Sequence, residues 1–294
     1  MPGRDGKTIF AGGTTYRGEL SRLDTRSGQF QPFLGGISAQ GVTFSRDGKT
    51  LAYVSYPEGI FWKADPDGSR AIQLTSPPLE PYLPSWSPDG SQMEFVDMPS
   101  SSIYLVSTAG GRPRRLLPES KDQVDDASWS ADGRKIVFST LVTTGLWEVV
   151  RVVDLATKQV TTVPGSEGMQ SPRWSPDGRS ILALLFRTRG MKLFDVGTQQ
   201  WRWVVPQGQQ NLGFPTWSKD SQFIYYIRFN GAGKDKGLYR VRARGGEPER
   251  VADLSSLHLG GWFYAWMGLD AGDAPLVVRD LGGDDIYALT LEQK

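Results

Sequence analysis

The chain has 294 residues with 33 basic and 32 acidic side chains, a net charge of +1. That near balance gives no basic footprint for nucleic acid, and no apolar run is long enough to make a membrane-crossing helix. The absence of Cys excludes disulfides, thiolate nucleophiles and Cys-based zinc or iron–sulfur sites, and a lone His258 excludes a multi-His metal site.

The predicted elements are short strands from end to end. Residues 1–4 are too few to form a strand before the turn Arg4-Asp5-Gly6-Lys7. Strands are predicted over 8–12, 18–23 and 29–33, so the first unit has three. The second unit has four, over 41–45, 50–55, 59–64 and 71–75, with Asp65-Pro66-Asp67-Gly68 as its last turn. The third starts at Trp86 and continues through 92–96, 102–107 and 113–117. The fourth starts at Trp129 and continues through 135–139, 145–154 and 159–163. The fifth starts at Trp174 and continues through 180–186, 191–195 and 200–205. The sixth starts at Trp217 and continues through 223–228, 237–242 and 248–252. The last unit gives 262–267, 276–279 and 285–291, again three strands. No helical periodicity of useful length interrupts them.

One unit recurs: Trp86-Ser87-Pro88-Asp89-Gly90. Its other copies are Phe44-Ser45-Arg46-Asp47-Gly48, Trp129-Ser130-Ala131-Asp132-Gly133, Trp174-Ser175-Pro176-Asp177-Gly178 and Trp217-Ser218-Lys219-Asp220-Ser221. Met267-Gly268-Leu269-Asp270 is a degraded copy. The Asp positions 5, 47, 89, 132, 177, 220 and 270 step by 42, 42, 43, 45, 43 and 50 residues. Strand-bearing repeats of about 40–45 residues are the mark of propeller blades. Pro supplies the fixed φ of a type I turn, Asp tolerates the next position, and Gly takes the site with φ > 0. The Asp residues therefore read as turn-formers. Asp24, Asp154 and Asp195, each five residues before a Gln, read as turns of the outer strands.

The expected fold is all-β: a single β-propeller over 1–294, with 35 Gly and 19 Pro to serve its hairpins. Seven four-stranded blades are expected, the first and last incomplete. Six is the alternative, and it would leave strands unused at the ends. The first unit lacks an innermost strand, which reads as a fragment of a larger chain that begins inside a blade.

The copies at 86–90 and 174–178 match the PD40 (WD40-like) repeat residue for residue; those at 44, 129 and 217 depart at one or two places. The chain thus resembles the TolB-like propeller family, although the Gly-His and Trp-Asp dipeptides of true WD40 repeats are absent from their expected places. Its closing stretch, 261–291, is similar to the end of bacterial chains in which a winged-helix domain and a membrane segment precede a TolB-like propeller. In such a chain the missing strand would lie upstream. The resemblance implies a non-catalytic module that docks a protein or peptide, and with the lack of Cys it favours a periplasmic setting. No cofactor, no nucleic acid through this domain and no membrane span are expected; self-association within a larger chain is a plainer possibility.

The alternative is a propeller enzyme, a hydrolase or lyase on carbohydrate or peptide. Related lyases use several His ligands, and related hydrolases need a Gly-x-Ser-x-Gly elbow in an added domain. Neither requirement is met here. A sialidase box would need its Trp after the Asp, and the order here is reversed. Binding residues are expected where the inner strands reach the channel mouth, four residues before each Trp-equivalent: Gln40, Tyr82, Asp125, Gln170, Gly213 and Phe263. Asp125-Asp126, with Asp122 and Glu119 nearby, is either an acidic attractor for a cation or basic peptide or a solvated loop. The loops from Pro77-Pro78 to Pro81 and over 231–237, with Lys234 and Lys236, are placed to flank that mouth.

Overall fold

The computed structural model describes residues 8–141, 148–185, 189–208, 211–229 and 236–290. The turn expected at Arg4 to Lys7 lies outside the described residues. So do the start of the strand expected over 145–154, the end of that over 180–186, most of the 231–237 loop including Lys234, and Leu291.

Five consecutive repeats each fold as one antiparallel four-stranded sheet. The first blade is β4 (Ala39–Phe44), β5 (Leu51–Ser55), β6 (Phe61–Ala64) and β7 (Ile72–Gln73). The second is β8 (Pro81–Trp86), β9 (Gln92–Asp97), β10 (Ser102–Ser107) and β11 (Arg114–Arg115). The third is β12 (Gln123–Trp129), β13 (Lys135–Leu141), β14 (Glu148–Asp154) and β15 (Val160–Thr162). The fourth is β16 (Met169–Trp174), β17 (Ser180–Leu185), β18 (Gly190–Asp195) and β19 (Gln200–Val205). The fifth is β20 (Asn211–Trp217), β21 (Phe223–Phe229), β22 (Gly237–Arg242) and β23 (Glu249–Asp253).

The recurring turn is built by its own side chains. Ser87 Oγ donates to Asp89 Oδ1 at 2.6 Å, and that oxygen also accepts from the Ser91 N–H at 3.0 Å. The Gln92 N–H in turn donates to Ser87 Oγ. The same pattern recurs at Ser45/Asp47, Ser130/Asp132, Ser175/Asp177 and Ser218/Asp220. Hydrogen bonds from Ser hydroxyls hold the carboxyls of Asp47, Asp89, Asp132 and Asp220 below their ordinary range. The outer-turn Asp24, Asp154 and Asp195 likewise accept local backbone N–H groups.

The expected seven blades are six, because the two three-stranded end units share one sheet. Its order from the axis outward is β24 (Met267–Leu269), β25 (Pro275–Asp280), β2 (Gly18–Asp24) and β3 (Gln29–Pro32). In the closed ring the innermost strand of this sheet is β24, from the far end of the chain. The two strands left over, β1 (Thr8–Thr15) and β26 (Gly283–Thr290), pair with each other. The strand expected over 262–267 is also corrected. Trp262–Tyr264 is a 3-10 turn, since Gly261 (φ 96°) and Phe263 (φ 52°) take the chain out of the extended region.

Packing shows the closure independently. Six apolar clusters each lie between two adjacent sheets, running round the ring until the closing blade meets the first through Leu20, Ala39, Val42, Trp266, Leu276 and Val278. Every inner strand touches the inner strands on both sides, β24 against β4 included. Sheets covered on both faces bury both, so β17 reads as an apolar run and β9 is buried along nearly its whole length without alternation. The outer strands of the first two blades shrink to two residues each, where packing on one side is lost.

β1 and β26 continue the β2–β25 ladder in unbroken register. Thr8 faces Thr290, Thr15 faces Gly283, Gly18 faces Asp280 and Arg22 faces Leu276. The Leu281 N–H donates to Arg17 O between them. The closing blade thus replaces the loop between its second and third strands with a ribbon eight residues long, or about 26 Å. Its apolar residues are exposed, Ile286 to 81%.

The turn glycines give a clean test. Gly90 and Gly178 both have φ near +75°, at 72° and 77°. A Cβ at Gly90 would meet nothing, whereas one at Gly178 would lie 3.2 Å from Ala131 Cβ in the neighbouring turn. Gly90→Ala is expected to cost about 1 kcal/mol through backbone strain alone. Gly178→Ala should cost more, and equal losses in urea melts would show that the turns do not press on one another.

Candidate functional site

The inner strands enclose a central channel. On the side of the Ser-Pro-Asp-Gly turns it widens into a cavity of about 490 Å³, a size that suits a small ligand or a short peptide segment. Trp86, Trp129, Trp174 and Trp217, one from each of four successive blades, form much of its wall. Each ends an inner strand because the turn that follows fixes it there. Trp86 Nε1 donates to Thr43 O and Trp217 Nε1 to Arg173 O, both on the preceding blade. These indoles therefore stitch neighbouring blades and still offer surface to the channel. Trp129 Nε1 is buried and has no partner. At the rim the Lys219 N–H donates to Asp273 at 3.1 and 3.2 Å, tying the fifth blade to the closing one.

The inner end of the cavity is polar. Arg173 pairs with Asp126 at 2.8 Å, and the Asp126 side chain is 1% exposed. Ser85 Oγ donates to Glu94 Oε1 at 2.5 Å, while Oε2 of the fully buried Glu94 has no partner. Burial pushes the Glu94 carboxyl up to about 8, against the pull of Ser85. Burial also raises Asp126 to about 6, although Arg173 opposes it.

Beyond this lies the opposite end of the inner strands, where the sequence placed its candidates. Each of the first five inner strands carries a one-residue bulge there. Gln40, Tyr82, Gln170 and Gly213 are the last paired residues before it, and in the third blade Asp125 is itself the extra residue. A bulge bends the strand and re-aims its side chains. Gly41, with φ 60°, lets the Trp262 ring approach to 2.5 Å from where a Cβ would stand.

The structure brings together Tyr82, Asp125, Gln170 and Phe263 with residues the sequence did not single out. Tyr82 meets Trp262 and Phe263 edge-on, at centroid distances of 4.8 and 5.8 Å. Phe263 is 68% exposed. With its amide oriented to satisfy the contact, Gln170 Nε2 donates to both oxygens of Glu148 at 3.0 Å. Burial raises Glu148 to about 7, and Asp125 adds to the effect. Burial also raises Asp125, opposed by Arg173, and lifts Tyr82 well above its ordinary value together with Asp126 and Asp125. Gln40 is buried, its Oε1 unpartnered and close to Gly261. Gly213 adds no side chain. None of the six candidates lines the large cavity, whose wall begins one or more residues further along each strand.

Asp122 does not join this cluster: its carboxylate pairs with Arg151 at 2.6 Å in the third blade. His258 is an exposed loop residue, its carbonyl accepting from the Asp280 N–H. Glu94, Glu148, Arg173 and Trp262 went unseen in the sequence. One signal was available: Glu94 sits inside the apolar run Met93 to Val96, where both sheet faces are covered.

No family model matches the chain. Over 73 residues it is 47% identical to the Tol-Pal system protein TolB of Polaromonas, covering 23% of this chain and 16% of that protein. Over 156 residues it is 29% identical to dipeptidyl-peptidase 5 of Porphyromonas gingivalis, covering 48% and 22%. The matched stretches thus span about a fifth of the length of these relatives. Among solved structures, a putative TolB from Agrobacterium tumefaciens superposes with a TM-score of 0.72 at 20% identity, covering 91% of this chain and 99% of that one. An oligogalacturonate lyase in complex with manganese superposes at 0.58 and 13% identity, covering 94% and 97%. These likenesses establish the TolB-like propeller fold.

Proposed function

We propose that this chain is a non-catalytic propeller that binds a protein through an extended peptide segment lodged in its channel. The observation that carries this is the Trp-walled cavity of about 490 Å³ at the turn face. Indole faces offer large, rigid contact area at little entropic cost, and a Trp-lined cavity at the turn face suits a peptide segment. In this reading the repeats are PD40 units, the chain is the interaction module of a larger bacterial regulator, and Gln40, Tyr82, Asp125, Gln170, Gly213 and Phe263 frame the opposite end of the channel.

Thr216 lies half-buried on the cavity wall, where a larger side chain would fill the space. Peptides selected from a displayed random library on the wild-type ring are expected to lose at least about tenfold in affinity, roughly 1.4 kcal/mol, on Thr216→Trp. Undiminished binding by a folded Thr216→Trp protein would rule out the cavity as the docking place. The enzyme alternative, favoured by the similarity to a peptidase, predicts that selected peptides are cleaved. Their recovery intact after prolonged incubation argues for capture alone.

A further inference from the structure

The end of the channel opposite the turns combines two kinds of surface. One side is aromatic, with Tyr82 against Trp262 and the exposed Phe263. The other is acidic, with Asp125, Asp126 and Glu148 and, just below them, Glu94. Arg173 faces Glu94, Asp125 and Asp126, yet its contacts go to Asp126 at 2.8 Å and Pro172 O at 2.9 Å. The carboxyls therefore outnumber the guanidinium set among them.

A second observation points outward from the protein. Gln40 Oε1, on a side chain only 4% exposed, is an acceptor that no donor of the chain reaches. A buried acceptor left without a donor is destabilising, and this one calls for a donor brought from elsewhere.

Resting on the peptide-binding reading above, we propose that this end of the channel receives one basic side chain, lysine or arginine, of the bound segment, held between the rings of Tyr82 and Phe263 and the carboxylates of Asp125 and Glu148. Rings attract cations through their negative faces. A guanidinium or ammonium also brings several N–H donors and no acceptor, the complement of what is left open here. A hard divalent cation is a poorer match, since it takes six or more oxygens and avoids aromatic walls. Among the described residues no cluster of three or more acidic or His side chains is arranged to hold a metal. A cation placed beside them would favour the ionised forms of Glu148, raised to about 7, and Asp126, raised to about 6, their protons passing to solvent.

The test is calorimetric titration of the intact chain with Ac-Gly-Ala-Arg-Ala-Gly-NH2 and with the same peptide carrying citrulline, the neutral isostere of arginine. The arginine peptide is expected to bind at least about tenfold tighter. Asp125→Asn with Glu148→Gln should erase that preference, since both groups are only partly buried and the substitutions keep their shapes. Thr216→Trp, at the other end of the channel, should weaken both peptides and preserve their ratio. Equal binding of the two peptides by the wild-type ring overturns the basic-side-chain site while leaving cavity docking intact. Failure of both peptides at millimolar concentration, with library-selected peptides still captured, does the same. Competition by calcium chloride alone, at stoichiometric amounts, would make this a metal site and also overturn the proposal.

Discussion

Replacing Glu94 by Gln is expected to raise the melting temperature at about pH 9 and leave it nearly unchanged at about pH 5. The cause is the raised carboxyl: its ordinary value of 4.5 becomes about 8 in the folded ring, mainly through burial. Because the folded state holds this proton more tightly than the unfolded chain, the group favours folding at low pH. That contribution is complete below about pH 4.5 and is lost as pH rises through about 8. Above that the ring carries a buried carboxylate whose Oε2 has no partner. Gln removes the charge, keeps the volume and still offers Ser85 Oγ an amide oxygen. At about 1.4 kcal/mol per pH unit over the span from 4.5 to about 8, the gain at high pH is on the order of 5 kcal/mol, or roughly 10 °C in a chain of this size. Thermal melts followed by circular dichroism at both pH values check it. A variant less stable than wild type at high pH would mean the carboxylate is stabilised in place, and the burial account would fail.

The second large effect concerns closure. Removing residues 1–15 and 283–294 takes away the ribbon and leaves all six blades complete, so the ring should still melt cooperatively within a few degrees of the intact chain. Removing residues 1–24 instead takes β2 as well, with the fully buried Leu20 and Leu23 at 3%. Leu276, Val277 and Val278, now fully buried, would face solvent along an open edge of β25. Each buried Leu is worth about 2–5 kcal/mol on truncation to Ala, against a total stability of about 5–15 kcal/mol. The shorter protein is therefore expected to be unfolded or aggregated by circular dichroism and gel filtration. A cooperative, monomeric 25–294 protein would show that a five-and-a-half-blade ring stands without its clasp.

The sequence made the blade legible because the turn is local chemistry. Ser, Pro, Asp and Gly within five residues determine one hairpin, and the hydrogen bonds of Ser87 and Asp89 bear that reading out. The number of blades was not local. Whether 18–23 and 276–279 belong to two sheets or one depends on a pairing across more than 250 residues, which no spacing encodes. The same holds for the candidate site. Tyr82 and Gln170 emerge on counting back from the Trp, since the bulge recurs in register, and Asp125 falls on the bulge itself; Phe263 reaches the same end from a 3-10 turn that the count did not foresee. Glu94 and Arg173 do not emerge, because what makes them unusual is the neighbour supplied by the next blade. The Trp residues bridge blades, but they also face the cavity, and a one-dimensional pattern does not separate those two surfaces of one ring.

The register of the ribbon has a mechanical meaning. Thr8 and Thr290 are paired at its tip, and the ladder runs from there without a break into the closing blade. Tension drawn between those two ends would break the rungs singly, in peeling rather than sliding geometry, and the opening would travel down into the sheet that shuts the annulus. The fold is thus weakest along the one direction in which its two ends can be pulled apart. Forces applied elsewhere on the rim would have to shear several rungs together.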